Sequence, residues 1–298
     1  MARSVSVFVI SSYVVSGQVG LKAMMPALRA LQLEAVSLPS TVLAAHPAAF
    51  PDANAAMGAP PGEALSPAQM VQMADWLIQA GALDDCGAVI TGYLPSPAHI
   101  AAAAQIVTKL KAAHPEMIYC CDPICGDNGA LYLPQNVVTA LGDTLLPLAD
   151  MATPNLFELG ALTGLPVPQE NADKANKIEA ETDYKRLIEA AKALPVETVL
   201  ITSAPAPEGR IASLQIGPDI YRCETARAPR APHGMGDFFA ALYVGLTLTK
   251  EPKALGIACA TLAQMANRNL ETAQLPHGPV VLAQAALTDK LAYPGQHS

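Results

Sequence analysis

The chain has few charged residues and few aromatic ones: Asp, Glu, Lys and Arg make up 15% of its 298 residues, and Phe, Trp and Tyr make up 5%. It has no run of Lys or Arg, and its formal net charge is −8. Such a surface is poorly suited to neutralising nucleic-acid phosphates or anionic lipids. No stretch approaches the roughly 20 apolar residues that a membrane helix needs. We therefore expect neither a nucleic-acid partner nor a membrane partner.

The cysteines lack the paired C-x-x-C spacing that would suggest zinc. We expect reduced, mostly buried thiols in a cytoplasmic protein. The six are Cys86, Cys120, Cys121, Cys125, Cys223 and Cys259. The apolar run VSVFVISSYVV after Arg3 superficially resembles a secretory signal. Two serines interrupt the run and a glycine-containing turn follows it, so a buried first strand is the better interpretation.

Hydrophobic residues make up 51% of the chain, enough for a large core, and short β-branched runs alternate with longer Ala/Leu-rich stretches. This alternation predicts βαβ units and a mostly parallel sheet covered by helices, in one domain over 1–298. The predicted strands are 5–10, 33–38, 87–91, 117–121, 149–153 and 197–202. The predicted helices are 20–31, 67–80, 97–113, 155–163, 183–193, 236–249 and 253–271.

Local signals mark turns and helix starts. Ser66-Pro67 and Ser96-Pro97 each place a capping hydroxyl before a proline at the first helical position. The Pro-, Ala- and Gly-rich segment 44–64 predicts a long surface loop. The segments IASLQIG and DIYRCET within 211–225, joined by Gly217-Pro218-Asp219, look like a tandem pair of strands and predict an antiparallel hairpin added to the sheet.

The strongest chemical signal is Gly234-Met235-Gly236-Asp237, followed directly by an apolar helix. Glycines let backbone N–H groups turn toward an anion, and a helix N-terminus adds partial positive charge at the same point. An Asp placed there could act as a base while the amides stabilise a transferring phosphoryl group. Four residues alone also fit an ordinary capping Asp after a glycine turn.

Further acidic and amide residues follow two predicted strands. Asp122 and Asp127 follow the strand MIYCC, and Asn155 and Glu158 follow ADMAT. Open α/β sheets bind ligands beyond the carboxyl ends of their strands, and such oxygen-rich groups suit Mg²⁺ and nucleotide phosphates. Asn155 and Glu158 could instead cap a helix, and Asp122 could cap the turn at Pro123.

Taken in order, these segments resemble the pyridoxal kinases of the ribokinase superfamily over about residues 5 to 285. The segments that carry the resemblance are SSYVVSGQVGLKA, GYLPS, CDPICGDNGALYLP, ATPNLFELGALTG, VLITSA and HGMGDFFAALYVG. The resemblance implies a ribokinase-like three-layer α/β/α fold with a small antiparallel edge. It also implies ATP-dependent phosphorylation of the 5′-hydroxymethyl of pyridoxal, a requirement for Mg²⁺, and a homodimer, and it makes a monovalent cation a second ion to test.

The family roles fall on matching positions of this sequence. Asp237 matches the base, and the amides of Gly234 to Asp237, including those of Met235 and Gly236, match the anion hole. Matches to substrate-contacting positions are Ser12, Val19, Tyr93 and Cys121. Asp122 and Glu158 match residues around magnesium and phosphate. Matches on the ATP side are Asn155, Thr202 and Ser203, with Ala226 and Arg227 at the adenine edge. Asp127 and Tyr132 fall in the segment that covers the γ-phosphate.

The chain also departs from the family. This chain has Ser11-Ser12-Tyr13 where the family usually has Gln-Ser-His, and Gly20-Leu21 where the family has Gly-Asn. Met235 replaces the threonine of G-T-G-D. The substrate-covering V-Q-F-S-N-H-T has become VLAAHP, Val42–Pro47, with no aromatic and one residue fewer.

These changes leave alternatives open. The first is a kinase of the same fold for hydroxymethylpyrimidine or another hydroxymethyl heterocycle, and the second is a non-catalytic vitamin B6-binding protein. A dehydrogenase is disfavoured, because no G-x-G-x-x-G follows the first strand. Cys121 could add reversibly to the aldehyde of pyridoxal or be a buried core thiol. His46 and His233 could contact substrate or nucleotide, although lone histidines in such loops more often do neither.

Overall fold

The computed structural model describes residues 5–168, 177–207, 209–228, 231–268 and 280–291. Its strands are β1 Ser6–Ser16, β2 Glu34–Ala45, β3 Gly62–Ala64, β4 Cys86–Thr91, β5 Ile118–Cys121, β6 Gly126–Asp127, β7 Ala130–Leu131, β8 Met151–Ala152, β9 Thr198–Pro205, β10 Arg210–Ile216, β11 Ile220–Ala226 and β12 Thr288–Lys290. Its α-helices are α1 Leu21–Ala30, α2 Pro51–Met57, α3 Pro67–Gln79, α4 Pro97–Ala113, α5 Gln135–Ala140, α6 Leu156–Thr163, α7 Lys177–Lys192, α8 Met235–Leu248 and α9 Ala254–Arg268.

Ten strands form one mixed sheet in the order β12-β11-β10-β9-β8-β5-β4-β1-β2-β3. The six central strands, from β9 to β2, run parallel, and the strands outside them pair antiparallel. The carboxyl ends of the central strands therefore meet at one edge of the sheet. The predicted hairpin is confirmed, since β10 and β11 pair antiparallel from Arg210–Ala226 to Ile216–Ile220.

Helices cover both faces of the sheet. Side chains of β1 alternate between the two faces: Val7 and Val9 pack with α1, α8 and α9, whereas Phe8 and Ile10 pack with α3 and α4. A central strand that is buried on both faces is apolar at successive positions, which explains the run VFVI at 7–10. The three-layer α/β/α architecture with a small antiparallel edge is confirmed. That residues 1–298 form one domain stays a prediction.

Most predicted elements lie where the sequence placed them, and all six cysteines are buried and unbridged. The capping hydroxyl of Ser66 is also confirmed, because it accepts from the Gln69 N–H in a capping box. Ser96 is the N-cap residue of α4, but its hydroxyl makes no cap bond and lies 2.7 Å from His99 Nδ1 instead. The predicted helix end at 269–271 lies outside the described residues.

The long surface loop predicted for 44–64 is wrong. Ala44 and Ala45 still belong to β2, a 3₁₀ turn follows at Pro47–Ala49, and α2 and β3 occupy most of the rest. Pro51 is the first residue of α2, where a proline costs the helix no hydrogen bond. The prolines that suggested a loop therefore start short helical elements.

Two helical regions are longer than the sequence suggested. No helix is predicted for 135–148, yet α5 is followed there by a π-helical turn at Leu141–Leu145 and a 3₁₀ turn at Leu146–Leu148. Helix α7 begins at Lys177 rather than 183, because its first turns are mostly polar and give little periodic signal. Among the helices of the described ranges, none combines the length and the apolar character needed to cross a bilayer.

Candidate active site

Three buried carboxyl groups lie where the parallel strands end. Asp122 follows β5, Glu158 lies in the first turn of α6, and Asp237 lies in the first turn of α8, with exposed fractions of 4%, 4% and 9%. The charges of Asp122 and Asp237 influence each other, as do those of Asp122 and Glu158. The structure thus brings together three acidic residues that are far apart in sequence.

Asp122 has one satisfied and one unsatisfied carboxyl oxygen. Its Oδ1 accepts a 2.8 Å hydrogen bond from the Thr153 hydroxyl, whereas Oδ2 is buried with no hydrogen-bond partner among the described residues. Burial, and then the charge of Asp237, raise the pKa of Asp122 to about 8. A buried oxygen without a partner is costly unless a cation or a proton occupies it.

Glu158 links two loops of the site. Its Oε1 accepts from the Cys125 N–H and its Oε2 accepts from the Asn155 N–H, both at 3.0 Å. The Asn155 side chain completes a capping box by accepting from the Glu158 N–H, and its amide donates to the Gly126 carbonyl. Burial, followed by the charge of Asp122, raises the pKa of Glu158. The capping interpretation of Asn155 and Glu158 is confirmed, which leaves their ligand roles as predictions.

Asp237 is held by a tight contact between the loop before α1 and the start of α8. Gly234 has φ +85° and its Cα faces the Gln18 carbonyl, where a Cβ would come within 2.0 Å of the oxygen. Only glycine fits such a contact at positive φ. The Gly20 N–H donates to the Asp237 carboxylate, but burial has the larger effect and raises its pKa to about 6. Its Oδ1 is buried without a hydrogen-bond partner within the described chain.

The acceptor side is formed by the ends of β1 and β4. Gly20 packs so closely on β1 that a Cβ there would lie 2.2 Å from the Ser12 carbonyl oxygen. The Tyr93 N–H donates to the Ser11 hydroxyl at 3.2 Å, and the Tyr93 carbonyl accepts from the Ser40 hydroxyl at 2.6 Å. Ser12 and Val19 are buried. Their contacts with substrate stay predictions.

The predicted nucleotide residues lie at the ends of β9 and β11 and at the start of α8. Thr202 and Ser203 are half-buried, and Ser203 has φ +63°, a strained conformation for a serine that is often found at functional sites. Ala226 ends β11, and Arg227 follows it with its N–H bonded to the Gly209 carbonyl. Met235 packs against the core beside α1, α8 and α9.

The segment predicted to cover the γ-phosphate contains a small hairpin of β6 and β7. Its turn residues Asn128 and Gly129 both have positive φ, as the Asn-Gly turn of a two-residue hairpin requires. The Asp127 carboxylate accepts from the Asn128 N–H at 2.8 Å, and Tyr132 is 56% exposed. An exposed hairpin at this edge is compatible with a cover, and that role stays a prediction.

The structure contradicts the covalent role considered for Cys121. Its exposed fraction is 0%, and its thiol lies with Thr91 and Tyr119, whose hydroxyls are 2.8 Å apart. Burial raises the pKa of Cys121 to about 12. An inaccessible thiol that stays protonated cannot add to an aldehyde as thiolate. Cys121 is therefore a core residue, and a non-covalent contact with substrate stays a prediction.

His46 and His233 form a pair that the sequence did not predict. Their ring centroids are 4.9 Å apart with planes inclined by 34°. His46 follows β2, and its Nδ1 accepts from the Ala48 N–H at 3.3 Å. Burial, and then the charge of His233, lower the pKa of His46 to about 4. No sequence signal could have joined them, because 187 positions separate 46 from 233.

The carboxylates fit a magnesium ion that is shared with a nucleotide. In the described part of the chain, no three His, Cys, Asp or Glu side chains converge to hold a metal by themselves. Mg²⁺ commonly takes one or two carboxylates and completes its shell with phosphate oxygens and water. The unpartnered Oδ2 of Asp122 and the nearby Glu158 match that donor set.

Comparison with known proteins identifies the family. Residues 69–280 match the profile of the family described as phosphomethylpyrimidine kinase. The chain is 33% identical over 255 residues to the pyridoxine/pyridoxal/pyridoxamine kinase of Bordetella bronchiseptica, across 84% of this chain and 83% of that protein. It is 30% identical over 240 residues to the pyridoxal kinase PdxY of Deinococcus radiodurans, across 79% of this chain and 76% of that protein.

Solved structures confirm the fold. The pyridoxal kinase of Leishmania donovani in complex with ADP and pyridoxamine superposes with a TM-score of 0.80 at 24% identity, covering 96% of this chain and 99% of that one. A phosphomethylpyrimidine kinase homologue from Bacteroides thetaiotaomicron gives a TM-score of 0.80 at 21% identity, covering 98% and 99%. Fold and site together define a small-molecule kinase of the ribokinase-like class. The chain belongs to the phosphomethylpyrimidine kinase family, and its resemblance to the pyridoxal kinases is confirmed.

Proposed function

We propose that this chain transfers the γ-phosphoryl group of ATP to the 5′-hydroxymethyl of pyridoxal, giving pyridoxal 5′-phosphate. The observation that carries the proposal is the position of Asp237. Its carboxylate lies in the first turn of α8, beside the exposed backbone of a glycine turn, and one of its buried oxygens lacks a protein partner. The named activities of the two relatives support the choice of pyridoxal.

Asp237 acts as the general base in this proposal. A pKa of about 6 leaves its carboxylate largely ionised at neutral pH, yet close enough to neutrality for efficient proton transfer. It accepts the hydroxymethyl proton as the oxygen attacks the γ-phosphorus. The first N–H groups of α8 have no partner within the helix, so those of Met235 and Gly236 are available to the phosphoryl oxygens.

Asp122 and Glu158 hold Mg²⁺ in the proposed site. When bound, the ion neutralises phosphate charge that develops during transfer. The chain's own contribution is to keep both carboxylates buried and oriented by Thr153, Cys125 and Asn155. Thr202 and Ser203 would then lie on the phosphate side, with Ala226 and Arg227 toward the adenine.

A second candidate is phosphorylation of a hydroxymethylpyrimidine. The matched family is described as phosphomethylpyrimidine kinase, which names a related pyrimidine, and the chain departs from the pyridoxal kinases on the acceptor side at Tyr13 and Val42–Pro47. We call Asp122, Glu158 and the turn before α8 the phosphoryl side of the site, and this side would serve both substrates equally. A non-catalytic B6-binding protein is the third outcome, and retention of Asp122, Glu158 and Asp237 speaks against it.

One assay separates the three candidates. Purified protein with Mg²⁺ and ATP is offered pyridoxal, pyridoxine, pyridoxamine and hydroxymethylpyrimidine, and the phosphorylated product is quantified by mass spectrometry. We expect pyridoxal 5′-phosphate as a main product. Product from hydroxymethylpyrimidine alone would select the second candidate. Binding of pyridoxal without any product would select the third.

We further propose a cytoplasmic homodimer that a monovalent cation activates. The homodimer comes from the resemblance to the pyridoxal kinases, and an apolar composition is compatible with an additional buried interface. Sedimentation at micromolar concentration should give about twice the chain mass of 30.9 kDa. A monomer under those conditions would contradict the dimer. Equal rates of phosphorylation in potassium and in a bulky organic cation would refute activation by a monovalent cation.

A further inference from the structure

His99 is a buried histidine that has no part in the proposed phosphoryl transfer. It lies in the first turn of α4 and is 8% exposed. Both ring nitrogens have partners: Nδ1 lies 2.7 Å from the Ser96 hydroxyl, and Nε2 lies 2.7 Å from the Leu65 carbonyl oxygen. Because a carbonyl oxygen only accepts, Nε2 carries a proton. The ring therefore joins the start of α4 to the residue that follows β3.

A continuous series of hydrogen bonds runs from Leu65 to the acceptor side. The Leu65 N–H donates to the Ser40 carbonyl at 3.1 Å. The Ser40 hydroxyl donates to the Tyr93 carbonyl at 2.6 Å, and the Tyr93 N–H donates to the Ser11 hydroxyl at 3.2 Å. Ser11 and Ser40 have exposed fractions of 0%, so a bond lost here leaves a buried polar group unsatisfied. These bonds hold the Tyr93 backbone from two sides.

Strand β3 is the weak link in this series, and His99 anchors it. The strand has three residues and lies at the end of the ten-stranded sheet, where it pairs with β2. A short edge strand makes few ladder hydrogen bonds and opens easily. Helix α4, in contrast, is fixed in the core by Ile100 and Ala103, which are fully buried. The bond from His99 to Leu65 therefore fastens the end of a loose strand to a rigid helix.

We propose that His99 is a positioning residue for the hydroxymethyl substrate. Through Leu65 and Ser40 it holds the Tyr93 backbone in the geometry that binds the acceptor, and it does so without touching the acceptor. This inference rests on the proposed function, because Tyr93 is there predicted to contact pyridoxal. It assigns a role to a residue that lies outside every motif of the sequence.

Two substitutions at position 99 separate the two ring nitrogens. His99→Gln places an amide near the position of Nε2, so it keeps a donor for Leu65 and loses the Ser96 contact. His99→Asn places its amide near Nδ1, so it keeps the Ser96 contact and loses the bond to Leu65. Ser40→Ala breaks the next step of the series. Thr139→Ala is the matched control, because it removes a hydroxyl that donates to the Gln135 carbonyl away from the site.

The measurements are equilibrium binding of pyridoxal, followed by its absorbance, with ADP binding, steady-state kinetics and Tm for each variant. We expect His99→Asn and Ser40→Ala each to raise the Kd for pyridoxal by about 3- to 10-fold. His99→Gln and Thr139→Ala should stay within about twofold of the unmodified protein. The Kd for ADP and kcat should change by less than about twofold in all four, because the phosphoryl side is not disturbed.

The double variant of His99→Asn and Ser40→Ala tests whether the two residues act through one series. Once the series is broken at Leu65, breaking it again at Ser40 should add little, so the rise in Kd should be well below the product of the two single effects. Effects that multiply would show that the residues act independently and would refute the proposal.

A structural role alone gives a different pattern. If His99→Asn and His99→Gln both lower Tm while the Kd for pyridoxal stays within twofold, His99 only stabilises the fold. Equal losses of ADP and pyridoxal affinity would also refute positioning of the acceptor. Binding of pyridoxal without any product would refute the proposed kinase activity, while the Kd values of the variants still decide the role of His99. Unmodified protein that binds no pyridoxal would refute both.

Discussion

The phosphoryl side and the acceptor side of the site are built differently. On the phosphoryl side, backbone N–H groups of two loops converge on Glu158, and Thr153 fixes Asp122 from a neighbouring strand end. On the acceptor side, strand ends and short helical turns meet through the His46–His233 ring contact. The first side is fixed by hydrogen bonds to buried carboxylates, whereas the second side depends on ring contact, close glycine packing and the hydrogen bonds of Tyr93.

This difference explains where the sequence keeps the family pattern and where it departs. Chemistry shared by all hydroxymethyl substrates depends on Asp122, Glu158 and Asp237, and all three are present and buried. Ring recognition depends on residues around Val42–Pro47, where the chain has changed. The following predictions test whether the two sides are separable in function.

Asp237→Asn should produce the largest effect. We expect kcat to fall by about 10² to 10⁴ while the affinities for ATP and pyridoxal remain, because a base acts in the transition state. The measurement is steady-state kinetics with isothermal titration of each ligand. Asp143→Asn, an exposed carboxyl outside the site, is the control. A variant within threefold of the unmodified rate would refute Asp237 as base.

For the unmodified enzyme, the pH profile follows from the same group. Since the pKa of Asp237 is about 6, kcat/KM should rise with pH through that value as the base ionises. An acidic limb centred near pH 4 instead would mean that the carboxyl is hydrated during turnover.

Glu158→Gln should raise the Mg²⁺ concentration needed for half-maximal activity by about 10- to 100-fold, with a smaller change in the KM for pyridoxal. Gln keeps the acceptor for the Asn155 N–H but removes a charge and the second acceptor oxygen. Gln69→Ala, which breaks the capping box of α3 away from the site, controls for helix capping. Full activity of the unmodified protein in excess chelator would remove the metal site altogether.

The sequence predicts much of this site because strand ends in a parallel sheet are a fixed location. Asp122 and Asn155 could be placed at one edge from their positions after β5 and β8, and Asp237 from the glycine turn before α8. The sequence could not predict that both carboxylate oxygens of Glu158 accept hydrogen bonds from backbone N–H groups, since the Cys125 contact spans 33 positions. Nor could it predict the histidine pair, or α2 and α5, which are too short to show a period.

Asp122→Asn should stabilise the metal-free protein at alkaline pH. The folded-state pKa of about 8 lies above the ordinary value of 3.8, so the stability associated with the neutral form is present at low pH and is lost as pH rises through about 8. Asn does not titrate and still accepts from Thr153. We expect Tm at pH 8 to exceed that of the unmodified protein by about 2 °C or more.

Thermal unfolding in chelator at pH 5 and pH 8 measures this effect. The difference between the two proteins should shrink at pH 5, where Asp122 is protonated in the fold, and Asp143→Asn should show no such pH dependence. Parallel Tm curves for Asp122→Asn and the unmodified protein would mean that Asp122 is already charged in the metal-free state. A loss of activity alongside the gain in stability would assign Asp122 to the phosphoryl side.

Cys121→Ser should produce the smallest kinetic effect. It tests whether Cys121 contributes to the core or to the active site. Because the thiol is fully buried and its pKa is about 12, we expect the ratio of kcat/KM for pyridoxal to that for pyridoxine to stay within about twofold. The hydroxyl can still bond within the Thr91 and Tyr119 cluster, so any change should appear in Tm. The measurement is paired kinetics with both vitamers, and a selective loss for pyridoxal, the aldehyde, would restore the covalent contact that the buried geometry excludes.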